Sequence, residues 1–350
     1  MNAQDSLNQP KVMKESKNKI RVDFERTPLK ERLKAKFLSM FFLKKIVWYV
    51  FRLVLLIGIS YIVLFPFFSK IAGSFMSPED FVDVTVRLIP KHFTLNMYKA
   101  IILENGFFEA FKNTLVLSLS TAILQTFSCC LVGYGLAKFK FKGNNLIFIA
   151  VLFTMVLPHQ TLSFSFSVNF TYFWQGFFGL LNAIHLVPAK LANGLNMINT
   201  HWPMALLSAT ALAFKNGLYI FLFRQFFRGV PDELEESAYI DGSGVFRTYF
   251  QIIIPLSIPT MITVFLFSFC WQWTDDFYTN VFYTVSRMKL MPHIVSVPSS
   301  LAIEFAGKNL YEAAVKNACG ILIILPLIIL YVFCQRYLVQ GIERSGLTAD

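Results

Sequence analysis

Charged residues are scarce in this chain. Only 15% of its 350 residues are Asp, Glu, Lys or Arg, while 55% are hydrophobic. A soluble protein of this length carries about 25% charged residues. The mean hydropathy of +0.54 and the long uncharged runs exclude a large water-soluble core and predict an integral membrane protein. The net charge of +11 does not indicate nucleic-acid binding, because the basic residues cluster beside the apolar runs.

Cysteines are also few, and their spacing shows no functional pattern. All five lie in apolar runs or at their edges: Cys129, Cys130, Cys270, Cys319 and Cys334. The spacing matches no metal site, and no pair requires a disulfide. We expect these side chains to be small, buried and apolar.

Motifs for enzymatic chemistry are missing as well. No segment has the phosphate-binding pattern G-x-x-x-x-G-K-[ST], since Gly307-Lys308-Asn309 lacks the preceding glycine and the hydroxyl residue. The histidines are scattered and do not form H-E-x-x-H, and no serine has the context of a nucleophile elbow. We therefore expect no catalytic residue, no metal site and no cofactor bound by this chain.

Six apolar runs are long enough to cross a membrane as helices. Pro158 interrupts the third run, and Lys215 places a charge in the fourth. The runs are residues 46–68, 114–137, 146–168, 202–223, 252–273 and 318–334, with approximate bounds. The sequence therefore predicts an all-α membrane protein with six transmembrane helices.

Basic residues predict the orientation of these helices. They concentrate in residues 1–45, 138–142 and 224–247 and near the C-terminus, and these segments alternate with less basic ones. The positive-inside rule then places both termini in the cytoplasm.

The same distribution divides the chain. Residues 1–45 are predicted to be a basic cytoplasmic tail without a secretory signal peptide, in which 29–42 could form a surface helix. The tail either sets the topology or contacts anionic lipid headgroups. Residues 46–345 form the transmembrane domain, with an extended external region at about 169–201, and 346–350 form a C-terminal tail.

An acidic segment lies between the fourth and fifth predicted spans. Pro231, followed by two acidic residues, is typical of a helix start. Leu234 and Ala238 lie four residues apart and share a face. Gly242 is predicted to end the helix in a left-handed conformation. A second short helix, at about 243–250, completes a helix-turn-helix beneath the membrane with its acidic side exposed.

This segment resembles the EAA loop of ABC importer permeases. The family pattern is Glu-Ala-Ala, three residues, Gly, nine residues, Ile, one residue and Leu-Pro. The matching residues here are Glu236-Ser237-Ala238, Gly242, Ile252 and Pro255, with Ser237 and Ile254 as departures. Residues 74–80, 133–139, 224–236 and 335–342 are also similar to carbohydrate permeases of the maltose-transporter type. The resemblance covers roughly residues 45–345.

The resemblance implies a type I permease subunit of an ABC importer in the cell membrane, carrying a sugar or an oligosaccharide. It implies a solute-binding protein, a second permease that usually makes a heterodimer, and two cytoplasmic ATPase subunits that hold ATP and Mg²⁺. The coupling region is about 229–250, where Glu236 would meet a basic or donor group of the ATPase. The implied coupling residues are Glu235, Glu236, Ala238, Asp241, Gly242 and Pro255.

Two alternatives stay open at this stage. One is an ABC importer permease for a solute that is not a sugar, such as an amino acid or an osmolyte. The other is a six-span secondary transporter that works without an ATPase.

Two polar features mark a candidate substrate pathway. Lys215 either faces an aqueous cavity or lies near the outer interface. The end of the fifth span combines aromatic rings with amide and carboxylate groups, which suits sugars. An aromatic belt explains its Trp and Tyr residues but not its paired acids. The predicted pathway residues are Lys215, Trp271, Gln272, Trp273, Asp275, Asp276 and Tyr278.

Overall fold

The computed structural model describes residues 40–213, 215–284 and 287–344. These residues form helices and loops, and the β-pairing among them is limited to two isolated bridges. The described residues divide into two compact units, which meet between Pro66 and Phe67 of the chain. The predicted tail up to residue 39, including most of the expected surface helix at 29–42, and the C-terminal tail 346–350 lie outside the described residues.

The helices of the described residues vary widely in length. A π-helical turn, Tyr249–Ile253, joins α11 to α12, and a 3₁₀ turn, His159–Leu162, precedes α5. The helices are α1 (Met40–Gly73), α2 (Asn96–Glu104), α3 (Phe107–Lys138), α4 (Asn144–Val156), α5 (Ser163–Thr171), α6 (Gln175–Ala183), α7 (Ala189–Ala192), α8 (Trp202–Ala209), α9 (Asn216–Arg228), α10 (Glu233–Ile240), α11 (Val245–Thr248), α12 (Ile254–Trp273), α13 (Phe277–Phe282) and α14 (Lys308–Arg344).

Four helical stretches of the described chain are long and apolar enough to cross a membrane. They are Lys44–Gly73, Phe107–Lys138, Val245–Trp273 and Lys308–Tyr337. A fifth span results if α4 and the helical turns up to Thr171 count as one segment, which bends by 96°. The predicted interruption at Pro158 is confirmed, because this proline lies at the bend and cannot continue a regular helix.

The fourth predicted span is not the continuous helix expected over 202–223. Helix α8 ends at Ala209, and α9 begins at Asn216. Ala211 has a φ of 58°, a left-handed conformation that stops a right-handed helix. Asn216 and Gly217 are poor helix formers, so they favour a new start over a continuous helix. The break places Lys215 at the N-cap of α9.

Helix α3 lies at the centre of the second unit, where it packs against α8, α9 and α12. Its buried seam is built from small or polar residues spaced three or four apart, which brings them onto one face. The seam contains Thr114, Ser118, Thr121, Gln125 and Cys129. Small and hydroxyl-bearing residues allow close helix contacts within a membrane. All five cysteines are free thiols; Cys129, Cys130 and Cys319 are buried, and the other two are half-buried.

Helices α3 and α9 are in close contact at Gly133. A Cβ atom added there would lie 2.5 Å from the Cβ atom of Phe223. The two helices therefore meet through backbone at this point. Gly135 lies two residues further along α3, and a Cβ atom added there would have nothing within 4 Å. The requirement for glycine is therefore specific to Gly133.

Helices α9 and α12 both run along the second unit, from one of its ends to the other. Helix α9 has 13 residues and is about 20 Å long. It leads from Lys215 to the loop that precedes α10. Helix α12 returns from that loop to Trp273. Lys215 and the end of α12 thus lie at one end, and α10 lies at the other.

Candidate functional site: a polar cavity and an exposed helix

Helix α10 has a well-defined end. Gly242 has a φ of 81°, which confirms the predicted left-handed conformation. Its N–H donates to Tyr239 O at 3.0 Å, and the Ser243 N–H donates to Ala238 O at 2.9 Å. This pair of bonds is the Schellman arrangement, in which the last helical carbonyls are satisfied. The turn fixes the direction of the chain between α10 and α11.

The buried face of α10 contains one of its acidic residues. Glu235 and Ala238 are buried, whereas Leu234 is exposed. Residues three apart also share a helix face, and here the acidic member of that face is turned inward. The prediction of an exposed acidic side therefore holds for Glu236 and Asp241 but was wrong for Glu235.

Glu235 attaches α10 to α3. The Tyr134 hydroxyl donates to Glu235 Oε2 at 3.0 Å, and Lys138 Nζ lies 3.6 Å from Oε1. Lys138 also donates to Val230 O at 2.6 Å and to Asp232 Oδ1 at 2.5 Å. The hydrogen bond from Lys138 holds the pKa of Asp232 below its usual value. Sequence reasoning missed this attachment, although Tyr134 and Lys138 lie in a segment that carries the family resemblance.

The outward face of α10 and α11 combines acidic and large apolar side chains. Ile240 is 86% exposed and Phe246 is 77% exposed. We give the name docking surface to six exposed residues of these two helices and the turn between them: Glu236, Tyr239, Ile240, Asp241, Val245 and Phe246. Sequence reasoning missed its apolar members, even though two large hydrophobic residues beside acids were a visible signal. Pro255 does not belong to this surface, because it lies in the first turn of α12.

At the opposite end, a cavity of about 620 Å³ opens between α3, α9, α12 and α13. Six of the seven predicted pathway residues line it: Lys215, Trp271, Gln272, Asp275, Asp276 and Tyr278. The structure thus brings together residues from two distant segments. It also adds polar residues that sequence reasoning missed: Gln125, His159, Gln160, Ser163, Ser268 and Asn280. Of these, Gln125 could have been predicted from the sequence, because it is an amide within a long uncharged run.

Lys215 and Trp271 lie together on the cavity wall. Lys215 Nζ lies 3.8 Å from the Trp271 ring centroid, a cation–π geometry. Tyr219 stacks on the same indole at a centroid distance of 5.9 Å. Lys215 lines the cavity, and it also precedes a helix that starts later than the predicted span, so the two positions expected for it are not exclusive. The break between α8 and α9 makes this possible, because it places the lysine at a helix start.

The two aspartates differ in environment. Asp275 is half-buried, and its Oδ2 accepts the Thr279 N–H at 3.1 Å. Burial raises the pKa of Asp275 to about 6, although hydrogen bonds to its carboxylate and the nearby Lys215 oppose the shift. Asp276 is exposed, and its Oδ1 accepts from Asn280 Nδ2 at 2.8 Å. The cavity therefore holds one carboxylate that changes charge near neutral pH.

The cavity also presents one buried amide donor that makes no hydrogen bond to the described residues. Gln272 is buried, and its Nε2 has no hydrogen-bond partner in the described part of the chain. Gln125 Oε1 accepts a hydrogen bond from Ser268 Oγ. A buried amide donor without a partner is costly, so Gln272 is suited to receive a polar group of a solute.

Trp273 is the exception among the predicted pathway residues. It is buried outside the cavity, where its Nε1 donates to Ile323 O of α14 at 2.9 Å. Its ring also packs edge-on against Phe111 at a centroid distance of 5.3 Å. Residues two apart on a helix point about 200° apart, so Trp271 and Trp273 cannot face the same space. Trp273 is a packing residue between α12, α3 and α14.

Solved structures show the same fold. A bacterial ABC transporter for import of the acidic polysaccharide alginate is similar over 84% of this chain and 97% of that chain, with a TM-score of 0.61 at 19% identity. The alginate transporter in complex with a periplasmic protein that holds an alginate pentasaccharide gives a TM-score of 0.57 at 13% identity. That second likeness covers 89% of this chain and 98% of that chain.

Sequence comparisons identify the family of this chain. The arabinooligosaccharides transport system permease protein AraQ of Bacillus subtilis is 30% identical over 294 residues, which are 82% of this chain and 92% of AraQ. Residues 130–344 match the family described as binding-protein-dependent transport system inner membrane component. This match covers more than half of the chain. The chain therefore belongs to that family, the membrane-embedded permease subunits of ABC transporters.

Proposed function

We propose that this chain is a permease subunit of an ATP-driven importer that moves a sugar or an oligosaccharide across the cytoplasmic membrane. The observation that carries the proposal is the pairing of two surfaces at opposite ends of one helix bundle. A polar, aromatic cavity lies at one end, and the docking surface lies at the other. Helices α9 and α12 run between them.

The cavity supports a sugar as the solute. Its volume lies in the usual range for small-molecule sites, about 300–1,000 Å³. Tyr278 and Phe277 offer rings for the C–H faces of a sugar, while Gln272 and Asp276 offer donors and acceptors for its hydroxyls. The names of AraQ and of the alginate importer point to the same class of solute.

The partners follow from the family and from the docking surface. The family description supports a solute-binding protein that delivers the sugar to the outer face. The docking surface would seat in a cytoplasmic ATPase subunit, with Glu236 meeting a basic or donor group. A second, homologous permease would complete the pathway as a heterodimer. ATP and Mg²⁺ would be held by two ATPase subunits.

This proposal includes a topology. The spans are α1, α3, the bent α4–α5 pair, the broken α8–α9 pair, α12 and α14, with both termini in the cytoplasm. Basic residues at 138–142 and 224–228, which flank the α10 end, support this orientation. Closure of the ATPases on ATP would displace α10 and bias the bundle between two states of the cavity.

The docking role can be tested by Glu236→Lys, with Glu109→Lys at the exposed start of α3 as the matched charge change. Both variants should reach the membrane in normal amounts. Sugar uptake should be lost only in Glu236→Lys, because the reversed charge opposes the expected contact. Normal uptake by Glu236→Lys would sink the docking role.

The solute class needs a separate measurement. Cells with and without the chain are compared for uptake of labelled oligosaccharides, amino acids and osmolytes. We expect the difference to be confined to sugars. A difference confined to amino acids would overturn the sugar assignment, and uptake unaffected by ATP depletion would overturn the ATP-driven mechanism.

A further inference from the structure

A second cavity, of about 570 Å³, lies where α3 ends, α4 begins and α9 ends. Four of its lining side chains are cationic: Lys140, Lys142, Arg224 and Arg228. No carboxylate belongs to the described lining, and none of these four cations forms an ion pair within the described ranges. The cavity therefore concentrates positive charge, and the exposed carboxylate of Asp232 acts on Lys140 only from beyond ion-pair distance.

Arg224 is the buried cation of this cavity. It is only 7% exposed, and its guanidinium carbon lies 3.7 Å from the centroid of the Phe148 ring. Its Nε donates a long hydrogen bond, 3.4 Å, to Leu136 O. The other guanidinium donors have no hydrogen bond to described residues. Because burying a charge is costly unless it is paired, this arrangement favours an anion in the cavity.

The start of α4 adds backbone donors to the same wall. Gly143, the N-cap, has a φ of 92° and provides no side-chain cap. The N–H groups of Asn145 and Leu146 have no backbone acceptor among the described residues, whereas the next N–H, of Ile147, donates to Gly143 O at 3.0 Å. Unpaired N–H groups and the positive end of the helix dipole bind phosphate groups.

An apolar stripe leads away from this anion-binding cavity along α4. Leu146, Ile149 and Phe153 are all exposed, and their spacing of three and four residues puts them on one face. A free phosphate would make no use of such a stripe, but the acyl chains of a lipid would. We propose that the cavity binds the phosphate group of an anionic phospholipid, whose acyl chains lie along α4.

The proposal can be tested on the full-length chain purified in detergent, by native mass spectrometry with added phosphatidylglycerol or phosphatidylcholine. Lys140→Gln combined with Lys142→Gln removes two exposed cations of the cavity and leaves the buried Arg224 and the exposed Arg228 in place. Lys112→Gln combined with Arg87→Gln removes two exposed cations elsewhere and serves as the control. Arg224→Gln tests the buried guanidinium.

Phosphatidylglycerol should bind more tightly than phosphatidylcholine. Its affinity should fall about fivefold for each cation removed from the cavity and should not change in the control. Equal affinity in the Lys140/Lys142 variant and the control would overturn the site. Displacement of phosphatidylglycerol by millimolar inorganic phosphate would overturn the assignment to a lipid, because a phosphate alone would then suffice.

Discussion

The attachment of α10 to α3 can be tested at Lys138, whose ammonium group faces the buried carboxylate of Glu235. Lys138→Met keeps most of the apolar stem and removes the charge. Glu235 would then be left inside the protein with the Tyr134 hydroxyl as its hydrogen-bond donor. We expect α10 to detach from α3 more often, without a general loss of folding.

The magnitude follows from burial. The side chains of Lys138 and Glu235 are 7% and 10% exposed, and removing one partner of a buried ion pair costs about 3–5 kcal/mol. The contact with Asp232 adds little, because that side chain is 73% exposed. We take the lower end, about 3 kcal/mol, since Tyr134 still donates to Glu235. This free energy corresponds to roughly a hundredfold change in the ratio of attached to detached α10.

Hydrogen exchange of the full-length chain measures this ratio directly. Amides of α10 that report local opening should exchange roughly a hundredfold faster in Lys138→Met. Lys142→Met, a nearby exposed lysine outside the Glu235 contact, should leave them unchanged. The double variant Lys138→Met/Glu235→Leu should recover most of the protection, because no buried charge is then unpaired. Wild-type exchange in Lys138→Met would refute the role given to this ion pair.

Three further changes test the helix packing and the cavity. Gly133→Ala should lower stability by about 1–3 kcal/mol, seen as a lower Tm in detergent, because its Cβ meets Phe223; Gly135→Ala, with open space around it, should not. Asp275 is neutral below about pH 6 and charged above it, so the rate of uptake should change as the pH passes through 6. In Asp275→Asn, uptake should stay at all pH values as it is in the wild type at low pH. A variant with the same pH dependence of uptake as the wild type would contradict this role. Trp271→Leu should raise KM about tenfold by removing the ring that Lys215 contacts. Phe265→Leu, which changes a ring of the same helix outside the cavity lining, should not.

Features with a local cause were predictable from the sequence. Long apolar runs identified the main spans, because hydropathy alone decides whether a helix of that length can cross a membrane. Pro158 and Gly242 were assigned correctly, since a proline breaks a helix and a glycine ends one through properties of their own backbone. The family resemblance extended these assignments to the whole transmembrane domain.

Features that depend on distant neighbours were not predictable. The acidic side of α10 was expected to be exposed, but Glu235 is buried, and Tyr134, 101 residues earlier, donates to it. Trp271 and Trp273 look alike in an apolar run, and only the position of α14 shows which one faces the cavity. The basic cavity likewise depends on how the end of α9 meets the start of α4.

The break before α9 gives the proposed transport cycle a mechanical basis. At Gly133 there is no room between α3 and α9, so these helices are packed to move together. Glu235 ties α10 to α3, and a displacement of α10 is therefore passed to α9 over its length of about 20 Å. Lys215 begins α9 and moves with it, whereas α8 ends six residues earlier, at Ala209. The break thus interrupts the helical backbone between α8 and the contacts that connect α10, through α3 and α9, to Lys215 at the cavity.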